Sequence, residues 1–507
     1  MSFLPLLTAA EMRDWERRCF SEGDISERVV MESAGRAAAL AVARHFPRGR
    51  VVAAVGGGNN GGDAIVALRT LRATGREVAA VHAGAAGEHR ALAHGWEIPA
   101  LEAMDEEAFR KADVVIDGLL GTGATGAPRD PIRGIIASVN AGEAPVVALD
   151  GPSGVDLSTG EVAGEAVRAA VTVTFGALKR GLLLYPGRAR AGRILVAEVG
   201  FPPWENRAAA AGAITGPWAR AHLPAIPADA HKGRVGLVAV AAGRQGVGGA
   251  AVMAAMGALR AGAGGVRIVS PEANRVLLQA TVPEAIFLDR DDGDLEVDLD
   301  RVTGVLVGPG IGTDGAAVDL FERLLRLDVP LAIDADAITI LSRRPEMLNR
   351  DRAGSVVLTP HPGELGRLLG TSTEAVIADR VAAAVEAAER FGCAVLSKGS
   401  PSLVAAPGRP VLVGTTGHSG VATGGMGDTL GGIVAALLAI GLDPHTGAAV
   451  ALHYAGRAAE LAGRGRGLLP RDVAEAFPYA LAETAEERPE FPFLFELEAA
   501  RSKKSEC

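Results

Sequence analysis

The chain has 507 residues with 51 basic and 60 acidic side chains, a formal net charge of -9, and its length implies more than one domain. Apolar residues make up 48% of it and charged residues 22%, which excludes disorder as the dominant state. The mild acidity argues against binding nucleic acid or an anionic membrane through bulk charge. Its 66 glycines stand beside only 4% aromatic residues. No Gly-X-Y period runs through them, so they point to many tight backbone loops. Cys19, Cys393 and Cys507 lie far apart with no CxxC or Cys/His metal spacing, which fits a reducing compartment rather than a disulfide or zinc scaffold. The opening MSFLPLLTAAEMRDWERRC lacks a basic n-region and a small-residue cleavage site. Apolar windows such as Gly431–Leu442 fall short of the ~20 residues of a membrane span. The expectation is a cytoplasmic protein with no membrane partner.

Strand-length apolar runs alternate with longer amphipathic segments, the pattern of parallel α/β architecture. Thr8 and Glu11 form a capping box for a first helix, and a second spans Ser26–His45. Strands are expected at Val51–Val55, Val78–His82, Val114–Asp117, Val146–Asp150, Val171–Phe175 and Ile194–Val199. The proline-bearing stretch Phe201–Lys232 reads as a linker, with the boundary near Gly212. A second alternating series follows, with strands at Val235–Val240, Val266–Val269, Val305–Val307, Leu331–Asp334, Val356–Thr359 and Ala394–Ser397. Helices are expected at Gly249–Ala261, where Met253, Met256 and Leu259 form a core face, and at Gly427–Ile440 and Pro444–Ala462. The domains are therefore 1–212 and 213–483. The charged tail 484–507 is expected to be mobile, although FPFLFEL is apolar enough to dock.

The first dense motif is VVAAVGGGNNGGDAIVALRTLRATG, a strand entering a loop of five glycines and then a helix. Its glycines allow a ligand close to the backbone, and the helix start offers N–H groups to phosphate. The spacing is not GxGxxG. A plain βα turn needs glycine alone, but Asn59, Asn60 and Asp63 add side-chain ligands. DVVIDGLLGTGATGAPRDP and PVVALDGPSGVDLSTG place Asp117 and Asp150 at the ends of two further strands. Loops at the carboxyl ends of neighbouring parallel strands share one crevice. Asn59–Asp63, Gly121–Ala127 and Asp150–Ser153 are thus expected in one site, unless each aspartate only caps its own turn. Asp117 with neutral oxygens from Asn60 and Ser153 suits a monovalent cation.

In the second half the most informative run is TGHSGVATGGMGDTLGGIVAALLAIG. Gly424, Gly425 and Gly427 form a turn at a helix start that aims N–H groups at a transferring phosphoryl group. Asp428, next in line, is placed to take the proton of an attacking hydroxyl. His361, between Pro360 and Pro362, is either a ligand contact or a core histidine.

The set GNNGGD, DGLLGTG, DGPSGVDLSTG and FGALKRGLLLYPG resembles the NAD(P)H-hydrate epimerase domain over nearly all of residues 1–210. The resemblance implies a Rossmann-like three-layer α/β/α sandwich. It implies substrate contacts from Asn59, Asn60, Gly61, Gly62 and Asp63, and from Gly121, Thr122, Gly123, Ala124, Thr125, Gly126 and Ala127. It further implies K+ held by Asn60, Asp117 and Ser153, with Asp150 at the damaged ring shuttling a proton. Lys179 adds positive charge without an evident role. HKG, GAxxMAAxGALRAGAG, GPGIG, DADAI, LTPHPGE, KG and ATGGMGD, over about residues 225–465, are similar to the ribokinase-like ADP- or ATP-dependent NAD(P)H-hydrate dehydratases. That resemblance implies a ribokinase-like α/β domain whose hydrate contacts are Ala250, Gly312, His361 and Asp428. It implies nucleotide contacts at Lys398, Gly399, Ser400, Pro401, Ser402 and Gly427, Asp428 as catalytic base, Mg2+ with ADP or ATP, and a homo-oligomer. His418–Val421 and Thr429–Gly431 depart from the family's usual Asn-Pro-Gly-Met and Val-Leu-Thr. Two other readings stay open. One is a small-molecule (vitamin or sugar) kinase of the ribokinase superfamily with an accessory domain. The other is an N-terminal protein-binding module.

Overall fold

The computed structural model describes residues 3–23, 25–84, 89–101, 106–202, 204, 209–225, 228–229, 235–483 and 490–499. Its chain contacts divide into two units, one of 4–211 with the segment from 487 onward, the other of 212–486. Helices pack against mainly parallel sheets in both.

The first unit has an eight-stranded sheet. Its order runs Phe493–Leu497, Arg193–Ala197, Val171–Phe175, Val146–Leu149, Val114–Gly118, Val51–Val55, Val78–His82 and Ala100–Leu101. Every residue of Val51–Val55 is buried, as expected for a parallel strand covered on both faces. Val51, Ala53 and Val55 pack with Ala38, Val42, Ile65 and Leu68 of the helices Glu27–His45 and Asn59–Ala73. Val52 and Ala54 pack on the other side with Phe109, Ile135, Ile136 and Val139. This alternation makes the three layers. The strand order reverses between Val51–Val55 and Val114–Gly118, since the chain first steps to Val78–His82 and then crosses back. Such a reversal opens a crevice at the strand carboxyl ends. A short pair, Leu4–Leu7 parallel to Leu178–Lys179, sets Leu7 opposite Lys179.

The tail corrects an expectation. Phe493–Leu497 is a strand, antiparallel to Arg193–Ala197, and so belongs to the first unit. Phe493 is 3% exposed within the first unit's core. Arg193 reaches Glu496 and Glu498, each at 2.7 Å. The apolar FPFLFEL run signals docking, but its pairing has no local pattern, because the partner strand lies some three hundred residues earlier. Phe493→Ala is expected to cost the first unit about 3 kcal/mol through the cavity it leaves. In a denaturant titration only that unit's transition should move; a shift confined to the other would contradict the assignment.

In the second unit the order is Ile286–Asp289, Gly265–Ser270, Leu237–Ala241, Gly304–Val307, Leu331–Ile333, Val356–Leu358, Ala394–Ser397, Leu403–Ala405, Val411–Gly414 and Ala211–Ile214. The strands through Ala394–Ser397 are parallel, and Leu403–Ala405 and Val411–Gly414 fold back antiparallel. The order reverses between Leu237–Ala241 and Gly304–Val307. The helix Met426–Ala439 is buried along most of its length, on the side of Ala251, Ala254 and Ala258. The stretch read as a linker contains regular elements: Ala211–Ile214 is a strand, and Thr215 caps the helix Gly216–His222. No helix among the described residues is long and apolar enough to cross a membrane.

Candidate active sites

At the first unit's crevice the helix Asn59–Ala73 starts directly after the glycine loop. Not all of those glycines serve a ligand. A Cβ on Gly61 would lie 2.1 Å from the Gly56 carbonyl oxygen, and one on Gly62 would meet Met31 at 2.6 Å. Gly57 and Gly58 have open space instead. Asn60 is buried, and its Nδ2 donates to the carbonyls of Leu120 (2.8 Å) and Leu149 (3.0 Å), tying three strand-end loops together. Its Oδ1 is buried with no hydrogen-bond partner. Asp117 is fully buried and accepts from the Ser153 N–H (2.8 Å), the Ser153 hydroxyl (2.6 Å) and the Leu119 N–H (3.3 Å). Burial pushes its carboxyl up to about 6 against those donors.

Asp150 holds the strained φ of 62° at its strand end. Its Oδ2 accepts from the Thr122 N–H at 3.1 Å and from the Thr122 hydroxyl. Its Oδ1 lies 2.5 Å from Nζ of Lys179, which is 1% exposed and also donates to the Phe175 carbonyl at 2.7 Å. Burial alone would raise the Asp150 carboxyl, but the Lys179 charge and the Thr122 donors outweigh it and hold it below the ordinary carboxylate range. Lys179 thus has a definite place, as the buried counter-charge of Asp150. Thr125, Gly126 and Ala127 are exposed, as are Asn59 and Gly123, while Gly121, Thr122 and Ala124 are half-buried.

Two acids here were not legible as a group. Burial, aided by repulsion from Asp150, drives Asp63 well above the ordinary range. Glu16, on the helix Ala9–Glu22, is raised to about 7, by burial first and by Asp150 and Glu27 besides, against Lys179. Glu27 in turn accepts from Asn59 Nδ2 at 2.6 Å. The site therefore sets a carboxylate whose ionised form is favoured beside two acids whose protonated forms are favoured, an arrangement suited to acid–base work.

In the second unit the turn Gly424–Gly427 opens the helix Met426–Ala439, with Gly425 as its N-cap at φ 88°. Met253 packs against this turn rather than in the main core: a Cβ on Gly425 would come within 2.1 Å of its sulfur. Lys398 Nζ pairs with the buried Asp334 at 2.7 Å. A Cβ on Gly427 would sit 3.2 Å from that Nζ, so Lys398 lies directly under the glycine turn. Asp428 is raised to about 7, chiefly by burial and by repulsion from Asp334, with Lys398 opposing and Asp336 adding to it.

Gly312 N–H donates to Asp336 at 2.9 Å, and Ala250 lies beside the Gly308–Gly312 loop, 3.4 Å from a Cβ placed on Gly310. His361 is no core histidine: its side chain is 52% exposed. It caps the helix Pro362–Leu369, with Nδ1 accepting from Gly363 N–H (3.0 Å) and Glu364 N–H (3.3 Å). The Lys398–Ser402 loop is closed by Ser402, whose hydroxyl accepts from Gly399 N–H (3.2 Å) and donates to Gly399 carbonyl (3.1 Å). The described residues hold no cluster of three or more His, Cys, Asp or Glu placed to bind a metal.

Two parallel α/β units, each with glycine loops and a buried acid at its strand carboxyl ends, define a two-site enzyme of the nucleotide-handling α/β class. The second unit is of ribokinase-like form: it is similar to a ribokinase-like superfamily protein of Enterococcus faecalis, with a TM-score of 0.50, 26% identity, and coverage of 54% of this chain and 96% of that one. A family described as NAD(P)H-hydrate dehydratase matches residues 238–478, and one described as YjeF-related protein N-terminus matches residues 27–181. The chain is 35% identical to the bifunctional NAD(P)H-hydrate repair enzyme of Moorella thermoacetica over 95% of its own length and 97% of the relative's. It is 33% identical to that of Escherichia coli over 92% of each. The chain belongs to the family of bifunctional NAD(P)H-hydrate repair enzymes.

Proposed function

We propose that the first unit (epimerase, residues 1–212 with the docked tail strand) interconverts the R and S forms of hydrated NAD(P)H. The second (dehydratase, 213–483) returns the S form to NAD(P)H using ADP or ATP. One observation carries this reading: a single chain holds both the Asp150–Lys179–Thr122 clamp and the Asp428 acid in the helix turn that follows a glycine turn.

Interconversion requires carbon 6 to lose and regain its hydroxyl configuration. Asp150, its ionised form favoured by Lys179, takes and returns the proton. The buried, unpartnered Asn60 Oδ1 fits a monovalent cation, which Asn60, Asp117 and Ser153 would hold. Such an ion would supply positive charge for the substrate's anionic groups. In the second site Asp428 takes the proton of the carbon-6 hydroxyl as its oxygen attacks the terminal phosphorus of the nucleotide. The carbon–oxygen bond then breaks with phosphate as leaving group, the ring nitrogen supplies electrons, and loss of a carbon-5 proton restores the dihydropyridine. Mg2+, held mainly by the nucleotide phosphates, would supply positive charge at the transferring phosphoryl group. The hydrate contacts are Ala250, Gly312, His361 and Asp428, the nucleotide contacts Lys398–Ser402 and Gly427. A cytoplasmic homo-oligomer completes the reading.

The test is to incubate the protein with mixed R and S NADHX and, in separate arms, ADP or ATP, following absorbance at the reduced-nicotinamide band. Complete recovery is expected. Recovery that stops at the S share removes the epimerase, and phosphorylation of a vitamin or sugar with no NADH formed favours the small-molecule kinase.

A further inference from the structure

Arg380 begins the helix Arg380–Phe391, next to Asp379, which caps that helix through Ala382 N–H at 2.9 Å. Its guanidinium turns away from solvent and donates to three backbone carbonyls, those of Pro401, Lys398 (3.1 Å) and Ser397 (3.3 Å). Ser397 ends the strand Ala394–Ser397, and Lys398 and Pro401 stand in the short loop that follows it, the one that would hold the adenine nucleotide. Gly399 holds φ at 150° in that loop, and a Cβ there would lie 2.5 Å from the guanidinium nitrogen. Glycine therefore lets the planar group lie flat against the loop backbone.

This placement is unfavourable on three counts. Burial without other influence lowers the Arg380 guanidinium to about 10. No carboxylate pairs with it among the described residues. It also stands in the first turn of a helix, where the dipole disfavours a cation. Carbonyl acceptors are the only return, and a fork that spans three of them is something arginine can do and lysine cannot. A loop that must bind a ligand gains from being ordered beforehand, because the ordering entropy is not then charged to binding.

We infer that Arg380 is the positioning residue of the nucleotide loop: it fixes the Ser397–Pro401 backbone so that Lys398–Ser402 present a preset surface to ADP or ATP. The inference rests on the dehydratase reading of this unit. In Arg380→Met the KM for nucleotide rises about tenfold while kcat at saturating nucleotide changes less than about threefold. Titration calorimetry with ADP and with ATP shows the same loss in Kd. Arg380→Lys, with one point charge for three carbonyls, falls between. A kcat that survives at saturating nucleotide guards against a misfolded Arg380 variant.

R/S interconversion, carried by the first unit, reports that this unit is intact, and the second unit's melting temperature reports on its own fold. An unchanged nucleotide KM and Kd in both variants, or a fall in kcat with KM unchanged, overturns the inference while leaving the dehydratase reading in place. A wild-type protein that neither binds nor consumes ADP or ATP overturns both.

Discussion

Asp428→Asn is expected to remove NAD(P)H recovery by about 10^3-fold, the loss typical when a general base is taken from a phosphoryl acceptor. R/S interconversion should continue, since it belongs to the other unit. The wild-type pH profile carries the sharper test. The Asp428 carboxyl is raised from 3.8 to about 7, by burial and by its neighbour Asp334 above all. A base must be ionised, so recovery should fall tenfold per pH unit below about 7, and this limb should be absent from the residual rate of Asp428→Asn.

Stability should move the other way. An acid whose folded-state pKa lies above its unfolded value binds its proton more tightly when folded. It therefore favours the folded state at low pH and withdraws that stability as pH rises from about 4 to 7. At pH 8 the asparagine variant should then melt above the wild type, because it no longer ionises a crowded, half-buried acid facing the charge of Asp334 and Asp336. A lower melting temperature, or a limb that survives in the variant, would assign the shifted acid elsewhere.

The parts of this protein that are legible in its sequence are those whose cause is local. Val51–Val55, Val78–His82, Val171–Phe175 and Ala394–Ser397 are apolar runs covered on both faces, and the structure has strands at those bounds. Thr8 and Ser26 cap their helices because the cap and the N–H groups it satisfies lie within three residues. Ala211–Ile214 was hidden because a four-residue AGAI run has neither alternation nor bulk and sits among prolines. Phe493–Leu497 shows its apolar character in the run FPFLFEL, but not its pairing, because its partner is distant.

The sites divide in the same way. Asp117, Asp150 and Ser153 stand at strand ends and announce themselves. Lys179 takes its meaning from Asp150 across a fold that spacing cannot show, and so do Glu16 and Asp63. The glycines of the first loop carried a mixed signal. Gly57 and Gly58 leave room for a ligand, while Gly56 and Gly61 make room for carbonyls of the chain itself.

The pair Asp150 and Lys179 yields the second large effect. With excess ADP or ATP, Asp150→Asn should recover only the S share of the hydrate, leaving the R form to its uncatalysed rate. Full recovery at the wild-type rate would refute Asp150 as the proton carrier. Each partner is almost wholly buried, with side chains 1% and 9% exposed. Removing either leaves an uncompensated charge in the interior, at a cost of about 3–5 kcal/mol. Lys179→Met should therefore destabilise the first unit and also raise the Asp150 carboxyl, since burial then acts without the offsetting cation. The acid limb of interconversion should move to higher pH in this variant, which a purely structural lysine would not cause.

The double variant Asp150→Asn/Lys179→Met separates the two roles. With neither charge left to bury, much of the lost stability should return, and the single costs should fail to add. Interconversion should stay absent. If the double variant is as unstable as the sum of the singles, the pair is held by packing rather than by charge, and Lys179 has no part in keeping Asp150 ionised.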